Sequence, residues 1–318
     1  MVPANCPRFG TGEAKAVLKH TARGLDAYII CDCFNYSVTY KMYGQTVPMS
    51  PDDHYQDLKR IIAALGGKAR RITVIMPMLY EGRQHRRTTR ESMDCAMALQ
   101  ELVAMGVKNI VTFDAHDPRV NNAIPLDGFD NVQAAYQMIK ALLKTVPDIK
   151  LNRDHTMIVS PDEGGMGRCI YYSSVLGLDL GMFYKRRNYS VVVNGRNPIE
   201  AHEFLGNDIT GKDLILVDDM ISSGESMLDI AAKLKEKGAG RIFIFSTFGL
   251  FVEGFEKFDQ YYADGKIDKI FTTNLIYQPQ ELLDREWYCS VNMSKYIALL
   301  VETLNYDNSI SSLLDPVD

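Results

Sequence analysis

The sequence contains no long apolar run. Its hydrophobic stretches fall short of the roughly 20 residues that a membrane-spanning helix needs, and the opening stretch, MVPANCPRFGTGEAK, has no apolar core of a secretory signal. An excess of positive charge is also missing, because the 318 residues carry a formal net charge of −5. General nucleic-acid and membrane-surface binders need a basic face, so the sequence predicts neither kind of partner.

Cysteine is scarce, and its spacing excludes the common metal and disulfide frameworks. The chain has 6 cysteines, no C-x-x-C motif and no Cys/His zinc spacing. Only Cys31 and Cys33 are close in sequence. We therefore expect reduced, mostly buried thiols in a cytoplasmic protein.

The residues that are present indicate an α/β fold. Hydrophobic residues make up 46% and charged residues 24%, which is typical of globular proteins, and the length favours two domains. Near-continuous apolar runs, typical of strands buried on both faces of a parallel sheet, alternate with helical patterns. The predicted strands are 27–31, 71–77, 109–114, 156–162, 178–184, 213–219, 241–247 and 269–274, and the predicted helices are 53–65, 91–105, 131–144, 164–176, 224–237 and 292–304.

The stretch LILVDDMISSGESMLDI, residues 214–230, contains the strongest functional signal. An apolar strand ends in Asp218 and Asp219, and a small polar loop leads into a helix. Ligands of open parallel sheets bind at the carboxyl ends of strands. The carboxylates suit the hydroxyls of a polyol, while the loop N–H groups, the hydroxyls and the helix N-terminus suit a phosphate. The sequence therefore predicts a sugar-phosphate site, although the serines could also serve as helix caps.

This stretch resembles the ribose-phosphate motif of type I phosphoribosyltransferases and of ribose-phosphate diphosphokinases (PRPP synthetases). The resemblance implies that both acids bind the ribose 2′ and 3′ hydroxyls, and that the loop holds the 5′-phosphate. Ser222 and Glu225 depart from the usual synthetase form, in which an acid and a glycine stand there. The loop residues with this implied role are Ser222, Ser223, Gly224 and Ser226.

Three further stretches resemble the synthetases rather than the transferases. In 76–93, Arg83, Gln84 and His85 stand at the positions that bind ATP in that family. Four arginines within eight residues are a candidate polyanion site, although a solvated basic face or a nucleic-acid patch would look the same. By this resemblance, the stretch 76–93 implies an ATP site.

The stretch 111–127 matches the synthetase segment in which D-x-H ends a strand and Ile-Pro-x-Asp follows. The resemblance places His116 beside the ATP phosphates and the metal, and Asp127 near the nucleotide. The alternative interpretation is that His116 only makes local hydrogen bonds, as a histidine at a strand end commonly does.

The third similarity joins 158–169 to 182–190. Asp162 matches the family acid near the metal and the ribose phosphate. Lys185 and Arg187 match the two catalytic cations at the base of the family's flexible loop. The run 188–198 after them is predicted to be exposed and mobile, so that it could close as a charged lid. A surface hairpin with a basic turn is the alternative.

The resemblance also implies an oligomer. In RFGTGEA, residues 8–14, Phe9 and Glu13 match a loop that reaches a neighbouring subunit's ATP site, with Thr11 where an acid is expected. The resemblance therefore implies a homo-oligomer in which neighbouring subunits share an ATP site. The family's opening strand–helix–strand is expected before this loop and is missing. The aromatic segment 34–55 departs from the family in length and character, and its aromatic residues suggest packing or a changed subunit contact.

The implied architecture is two tandem phosphoribosyltransferase-type domains. We predict an ATP-binding domain at 1–148, a ribose-phosphate-binding domain at 149–290, and a helix and tail at 291–318 that pack back on the first domain. The implied reaction transfers diphosphate from ATP to ribose 5-phosphate with Mg²⁺. A phosphoribosyltransferase that uses PRPP and a non-catalytic regulatory paralogue are the rival interpretations.

Overall fold

The computed structural model describes residues 2–187 and 199–314. The strands are β1 (Ala4–Asn5), β2 (Val17–Leu18), β3 (Asp26–Ile30), β4 (Thr39–Met42), β5 (Gln45–Pro48), β6 (Arg71–Ile75), β7 (Asn109–Phe113), β8 (Gly128–Val132), β9 (Thr156–Ser160), β10 (Asp179–Arg187), β11 (Ile199–Leu205), β12 (Asp213–Ile221), β13 (Ile242–Gly249), β14 (Lys269–Thr273) and β15 (Tyr288–Val291). The helices are α1 (Pro51–Leu65), α2 (Asp94–Ala104), α3 (Ala135–Thr145), α4 (Met166–Leu176), α5 (Glu225–Glu236), α6 (Glu256–Ala263), α7 (Gln280–Leu283), α8 (Ser294–Asn305) and α9 (Ser311–Leu314), with a short 3-10 helix at Pro118–Ala123.

The predicted α/β fold class is confirmed. Each strand and helix that the hydrophobic pattern predicted is present, with its ends shifted by a few residues. The pattern missed β8 and β15, which are short and mix polar with apolar residues (GFDNV and YCSV), and the β4–β5 hairpin, whose strands are largely exposed. These elements depend on neighbouring strands and segments more than on their own hydrophobicity.

The chain divides into two compact units. The first contains residues 1–134, 275–277 and 293–318, and the second contains residues 135–274 and 278–292. Thus α3 belongs to the second unit and α8 to the first. The domain limits taken from the sequence, 1–148, 149–290 and 291–318, stay a prediction.

The first unit is built on a parallel sheet in the order β3-β6-β7-β8. Its core includes the buried faces of α1 and α2, for which Leu58 and Leu99 are each 1% exposed. A capping box between Ser50 and Asp53 begins α1, and Gly66 in the left-handed conformation ends it. These capping interactions define where α1 begins and ends.

The C-terminal helix α8 also belongs to the first unit. The Arg71 guanidinium donates to the carbonyl oxygen of Leu304 at 2.9 Å and pairs with Asp307. The rings of Phe113 and Tyr296 meet edge to face, with centroids 6.3 Å apart. Helix α8 is thus attached to the first unit by both a charged contact and an aromatic contact.

The second unit contains a seven-stranded sheet in the order β11-β10-β9-β12-β13-β14-β15. All neighbouring pairs are parallel except β10 and β11, which are antiparallel. The residues between those two strands, 188–198, were predicted to form the lid and lie outside the described part of the chain. Strand β12 is central, and its run from Leu214 to Val217 is buried, as expected of a strand covered on both faces.

Among the described residues, no helix combines the length and the apolar character that crossing a membrane requires.

Candidate functional site

Strands β9 and β12 bring the predicted sugar-phosphate residues to one edge of the second sheet. They are parallel neighbours, with Val159 opposite Leu216. Asp162 follows the end of β9, and Asp218 and Asp219 lie in the last part of β12. Because the two strands are parallel neighbours, the three sequence-predicted acids lie at the same end of the sheet, where ligands of such sheets bind.

Asp218 and Asp219 form a largely buried acid pair at this edge, and the pKa of Asp218 is shifted. Asp219 is only 3% exposed, and its backbone N–H donates to Oδ1 of Asp218 at 2.9 Å. Burial and the adjacent Asp219 carboxylate raise the pKa of Asp218 well above its ordinary value. Two adjacent, largely buried carboxylates repel each other and do not stabilise the fold. Their presence at a strand end is better explained by the binding of a ligand.

Arg168 is a site residue that sequence reasoning missed. It lies on α4 with a side chain 9% exposed, and its guanidinium nitrogens are 3.7 Å from Oδ1 of Asp218 and 4.0 Å from Oδ1 of Asp219. The thiol of Cys169 donates to the carbonyl oxygens of Val159, at 3.8 Å, and Val217, at 3.4 Å, so α4 crosses both strands at this place. No local sequence signal pointed to Arg168, because its contact with the acid pair depends on how α4 crosses the two strands.

Replacing Arg168 by Gln is expected to destabilise the second unit. The change removes the positive charge beside two largely buried carboxylates, and breaking such a group costs about 3–5 kcal/mol. The melting temperature should fall at neutral pH, and the deficit should shrink in acid as Asp218 becomes protonated. Thermal unfolding followed at both pH values measures this.

Arg153→Gln is the matched control for this change. Arg153 lies in the same unit, 3.8 Å from Asp179, but its side chain is 72% exposed, and exposed pairs contribute little. Equal losses in both variants would contradict a special role for Arg168. Adding Asp218→Asn to Arg168→Gln should restore part of the stability, because it removes one of the unbalanced charges.

The loop between β12 and α5 requires its glycine. Gly224 has a φ of +83°, and a Cβ built there would lie 2.2 Å from Cζ of Phe258. Phe258 is fully buried. The loop backbone can therefore take this path, directly before the first turn of α5, only when residue 224 has no side chain.

The serines of this loop do not serve as the helix caps that the alternative interpretation supposed. The N-cap of α5 is Gly224, which makes no side-chain capping bond. The nearest interaction is a bond from the Glu225 N–H to Oγ of Ser223 at 3.5 Å, which is at the limit of a hydrogen bond. Ser222, Ser223 and the exposed Ser226 thus surround a helix N-terminus that is suited to an anion.

Asp162 begins the turn that precedes α4. Its Oδ1 accepts the backbone N–H groups of Gly164 at 2.9 Å and of Gly165 at 3.2 Å. A Cβ on Gly165 would come within 3.0 Å of Oγ of Ser160. The turn is thus fixed beside β9, and it holds the Asp162 carboxylate in a defined orientation at the edge where the acid pair lies.

In the first unit, the structure brings His85 and His116 together. Their ring centroids are 5.4 Å apart, and Nε2 of His85 is 3.5 Å from Oδ2 of Asp117. Arg119 hydrogen-bonds Asp117 and lowers the pKa of that carboxyl to about 2. Nδ1 of His85 is buried and has no hydrogen-bond partner within the described chain, so a ligand or a water could bind it.

Arg83 and Gln84 occupy a turn next to this histidine pair. The Gln84 N–H donates to the carbonyl oxygen of Glu81 at 2.8 Å, and both side chains, Arg83 and Gln84, are exposed. The buried segment after β6 that leads to the turn is fixed by the Phe113 N–H, which donates to the carbonyl oxygen of Pro77 at 2.9 Å. The predicted ATP residues 83–85 and His116 therefore share one sheet edge.

Asp127 does not lie at that edge. It directly precedes β8, which begins with Gly128 opposite Asn109, the first residue of β7, whereas His116 follows the last. Five residues of strand separate the two edges by about 16 Å. The structure therefore does not bring Asp127 together with His116, and its role at the nucleotide stays a prediction without support from this geometry.

The loop of Phe9 and Glu13 is supported by the β4–β5 hairpin. The Phe9 N–H donates to the carbonyl oxygen of Glu13 at 2.7 Å, and the Tyr43 N–H donates to that of Gly10 at 2.8 Å. Phe9 is 55% exposed. The aromatic segment 34–55, for which the sequence suggested no function, thus positions this loop.

Lys185 and Arg187 lie on the last part of β10, where their backbones pair with His202 and Ile199 of β11. The structure describes their backbone and not their side chains. Their catalytic role therefore stays a prediction.

Known proteins resemble this chain over nearly its whole length. A family model described as the N-terminal domain of ribose phosphate pyrophosphokinase matches residues 1–106, and one described as a phosphoribosyl synthetase-associated domain matches residues 191–315. The ribose-phosphate pyrophosphokinase of Vibrio cholerae serotype O1 is 26% identical, over 98% of this chain and 91% of its own length. That of Shewanella oneidensis is 27% identical, over 96% and 89%.

The fold is also found in a solved structure. The crystal structure of phosphoribosylpyrophosphate synthetase from Mycobacterium smegmatis matches with a TM-score of 0.78 at 20% identity, over 96% of this chain and 91% of that one. The predicted pair of phosphoribosyltransferase-like α/β domains is thereby confirmed. Family models match both ends of the chain and relatives of one name align along its length, so the resemblance to the ribose-phosphate pyrophosphokinase, or PRPP synthetase, family that the sequence predicted is confirmed.

Proposed function

We propose that this protein is a ribose-phosphate diphosphokinase. It transfers the β,γ-diphosphoryl group of ATP to the C1 hydroxyl of ribose 5-phosphate, giving PRPP and AMP. One observation carries the proposal: a crowded acid pair beside Arg168 is followed by serines that do not cap the helix they precede. The acid pair suits the diol of a ribose and the serine loop suits a phosphate, so together they suit the two ends of a ribose phosphate.

In this reaction the second unit holds the acceptor sugar. Asp218 and Asp219 accept hydrogen bonds from the ribose 2′ and 3′ hydroxyls, because ionised carboxylates are strong acceptors. Ser222, Ser223 and Ser226 donate to the 5′-phosphate together with the first N–H groups of α5. The C1 hydroxyl then attacks the β-phosphorus, and catalysis consists mainly of positioning and charge neutralisation.

The first unit supplies the nucleotide site. Arg83 and Gln84 are exposed at a turn and can reach a ligand, and Nδ1 of His85 has no partner among the described residues. His116 lies beside His85. We propose that these residues bind ATP, and that Lys185 and Arg187 stabilise the charge that develops on the diphosphate.

The residues fit a Mg²⁺ ion that arrives with the nucleotide. Within the described ranges, no group of three or more His, Cys, Asp or Glu side chains could hold a metal alone. Mg²⁺ is commonly held by one or two carboxylates plus substrate phosphates, and Asp162 offers a carboxylate. We propose Asp162 and His116 as its protein ligands. The bound ion would neutralise charge on the phosphate oxygens.

We further propose a homo-oligomer in which Phe9 and Glu13 of one chain complete the ATP site of its neighbour. Support comes from Phe9, a large apolar side chain that is 55% exposed on a loop that the hairpin holds in place. A cytoplasmic location is proposed as well, since all six cysteines are free.

The direct test is AMP formation from ATP, Mg²⁺ and ribose 5-phosphate, with the sugar omitted in the control. We expect sugar-dependent AMP without any added base, which a phosphoribosyltransferase would not give. Lys185→Ala should lower kcat by roughly 100-fold or more, and Lys144→Ala, an exposed lysine of the same unit, should leave it unchanged. A folded sample that makes no AMP would favour the non-catalytic paralogue.

A further inference from the structure

Cys31 and Cys33 are in sulfur-to-sulfur contact. Their Sγ atoms are 3.6 Å apart, and all 6 cysteines of the chain lie in its described part and are free thiols. A disulfide has an S–S length of about 2.05 Å, so these two atoms need to approach by roughly 1.5 Å to become bonded. The two thiols lie within reach of a covalent bond after a small local movement.

The two thiols differ in the way that a reactive pair requires. Cys31 is partly exposed, whereas Cys33 is 1% exposed and packs in the core of the first unit. The hydrogen bond with Cys31, together with burial, raises the pKa of Cys33, so its proton is held. Cys31 is therefore the thiol that an oxidant reaches first, and Cys33 is positioned to react with the product.

The pair lies at a sensitive place in the sheet. The Cys31 N–H donates to the carbonyl oxygen of Ile75 at 2.9 Å, which continues the pairing of β3 with β6. Beyond that carbonyl the chain leads to Arg83 and the histidine pair. Between the cysteines, the Asp32 carboxylate accepts the N–H of Phe34 at 2.9 Å and that of Tyr277 at 2.7 Å. We expect the movement that closes a ring across residues 31–33 to weaken these bonds.

We propose that Cys31 and Cys33 form a reversible disulfide, and that its formation lowers the activity of the nucleotide site on the same sheet edge. With a peroxide as the oxidant, the Cys31 thiolate attacks one oxygen and becomes a sulfenic acid, and hydroxide leaves. The Cys33 sulfur then attacks the sulfenic sulfur, the S–O bond breaks, and water leaves. In sum, two thiols and one peroxide give one disulfide and two waters.

The sequence allows a direct chemical test of the bond. Cleavage after Arg23 and Lys41 releases both cysteines in one peptide, residues 24–41. After mild treatment with hydrogen peroxide and alkylation of the remaining thiols, we expect this peptide unalkylated and lighter by two hydrogen atoms. Dithiothreitol should restore two alkylatable thiols. An alkylated peptide in the oxidised protein, or linkage of either cysteine to a third one, overturns the proposal.

The consequence is tested on the same samples. The effect on activity rests on the proposed function, and we expect AMP formation to fall several-fold on oxidation and to recover with dithiothreitol. Cys31→Ser and Cys33→Ala should each abolish the disulfide and the reversible loss. Cys6→Ser, a partly exposed cysteine of the same unit, should behave as wild type.

The two proposals can fail separately. If the reduced protein makes no AMP, the proposed function is wrong, while the mass of the peptide 24–41 still decides whether the bond forms. If the bond forms and AMP production is unchanged, the disulfide is not a control device, and the second half of the proposal is overturned. Using both single-cysteine variants covers the case in which one of them does not fold.

Discussion

Asp218→Asn is expected to make the protein more stable and nearly inactive at once. The variant keeps a side-chain oxygen that can accept the Asp219 N–H, now 2.9 Å from Oδ1 of Asp218. It removes a buried charge, and with it the desolvation cost and the repulsion from Asp219 that raise the pKa of Asp218. We expect a melting temperature about 2–4 °C higher at neutral pH for a gain of about 1 kcal/mol. The value of kcat/KM should be roughly 100-fold lower, because a charged acceptor for the ribose is lost.

The pH dependence of this gain has a definite sign. The pKa of Asp218 is higher in the folded chain than in the unfolded one, so between the two values the folded state binds more protons. Wild-type stability from this group is complete in acid and is lost as the pH rises through the folded pKa. Asparagine does not titrate, so the advantage of the variant should be largest at neutral pH and shrink in acid.

Thermal unfolding at several pH values, with AMP formation measured at neutral pH, tests both halves. Asp229→Asn, an exposed acid on α5 in the same unit, should change neither stability nor rate. A loss of stability in Asp218→Asn at neutral pH would contradict the argument, since it would mean that Arg168 stabilises the charged pair more than the two carboxylates repel each other.

Gly224→Ala should damage the phosphate loop far more than its size suggests. The new Cβ would require a φ of +83° and would lie 2.2 Å from Cζ of the buried Phe258. Backbone strain and overpacking together should cost roughly 2–4 kcal/mol. We expect a lower melting temperature and an increase in the KM for ribose 5-phosphate, because the serines and the start of α5 are displaced with the loop.

Gly177→Ala separates the two causes. Gly177 has a φ of +65°, lies in the same unit, and a Cβ there meets no atom within 4 Å. It should show the cost of the left-handed backbone alone, with an unchanged KM. If Gly224→Ala were no worse than Gly177→Ala, the contact with Phe258 would not be the reason for the glycine. Denaturant unfolding and steady-state kinetics on both variants measure the difference.

Much of the fold and one half of the site could be predicted from local sequence. Continuous apolar runs such as Leu214–Val217 and well-capped helices such as α1 are determined by neighbouring residues, so periodicity and capping rules locate them. The Asp218–Asp219 pair and the loop to Gly224 are contiguous in sequence, and a contiguous motif needs no knowledge of packing. The family resemblance, now confirmed by comparison, rested on such motifs.

Other parts of the site depend on residues that are distant in the chain. Arg168 reaches the acid pair because α4 crosses β9 and β12, and nothing in its own neighbourhood indicates that. Asp127 was placed near the nucleotide by its motif, yet β8 begins directly after it and leaves it at the opposite edge from His116. The direction of β8 decides on which side of the sheet Asp127 lies, and the length of the loop before β8 does not reveal that direction.

The sequence by itself determined the α/β class, the acid pair and the hydroxyl loop, because hydrophobic periodicity and a motif of consecutive residues are local properties of the chain. Only the tertiary structure decided which side chains meet across elements: Arg168 with the two carboxylates, Phe258 against Gly224, and His85 beside His116. The physical reason is that strand order and helix crossing bring together residues whose separation in sequence carries no information about their distance.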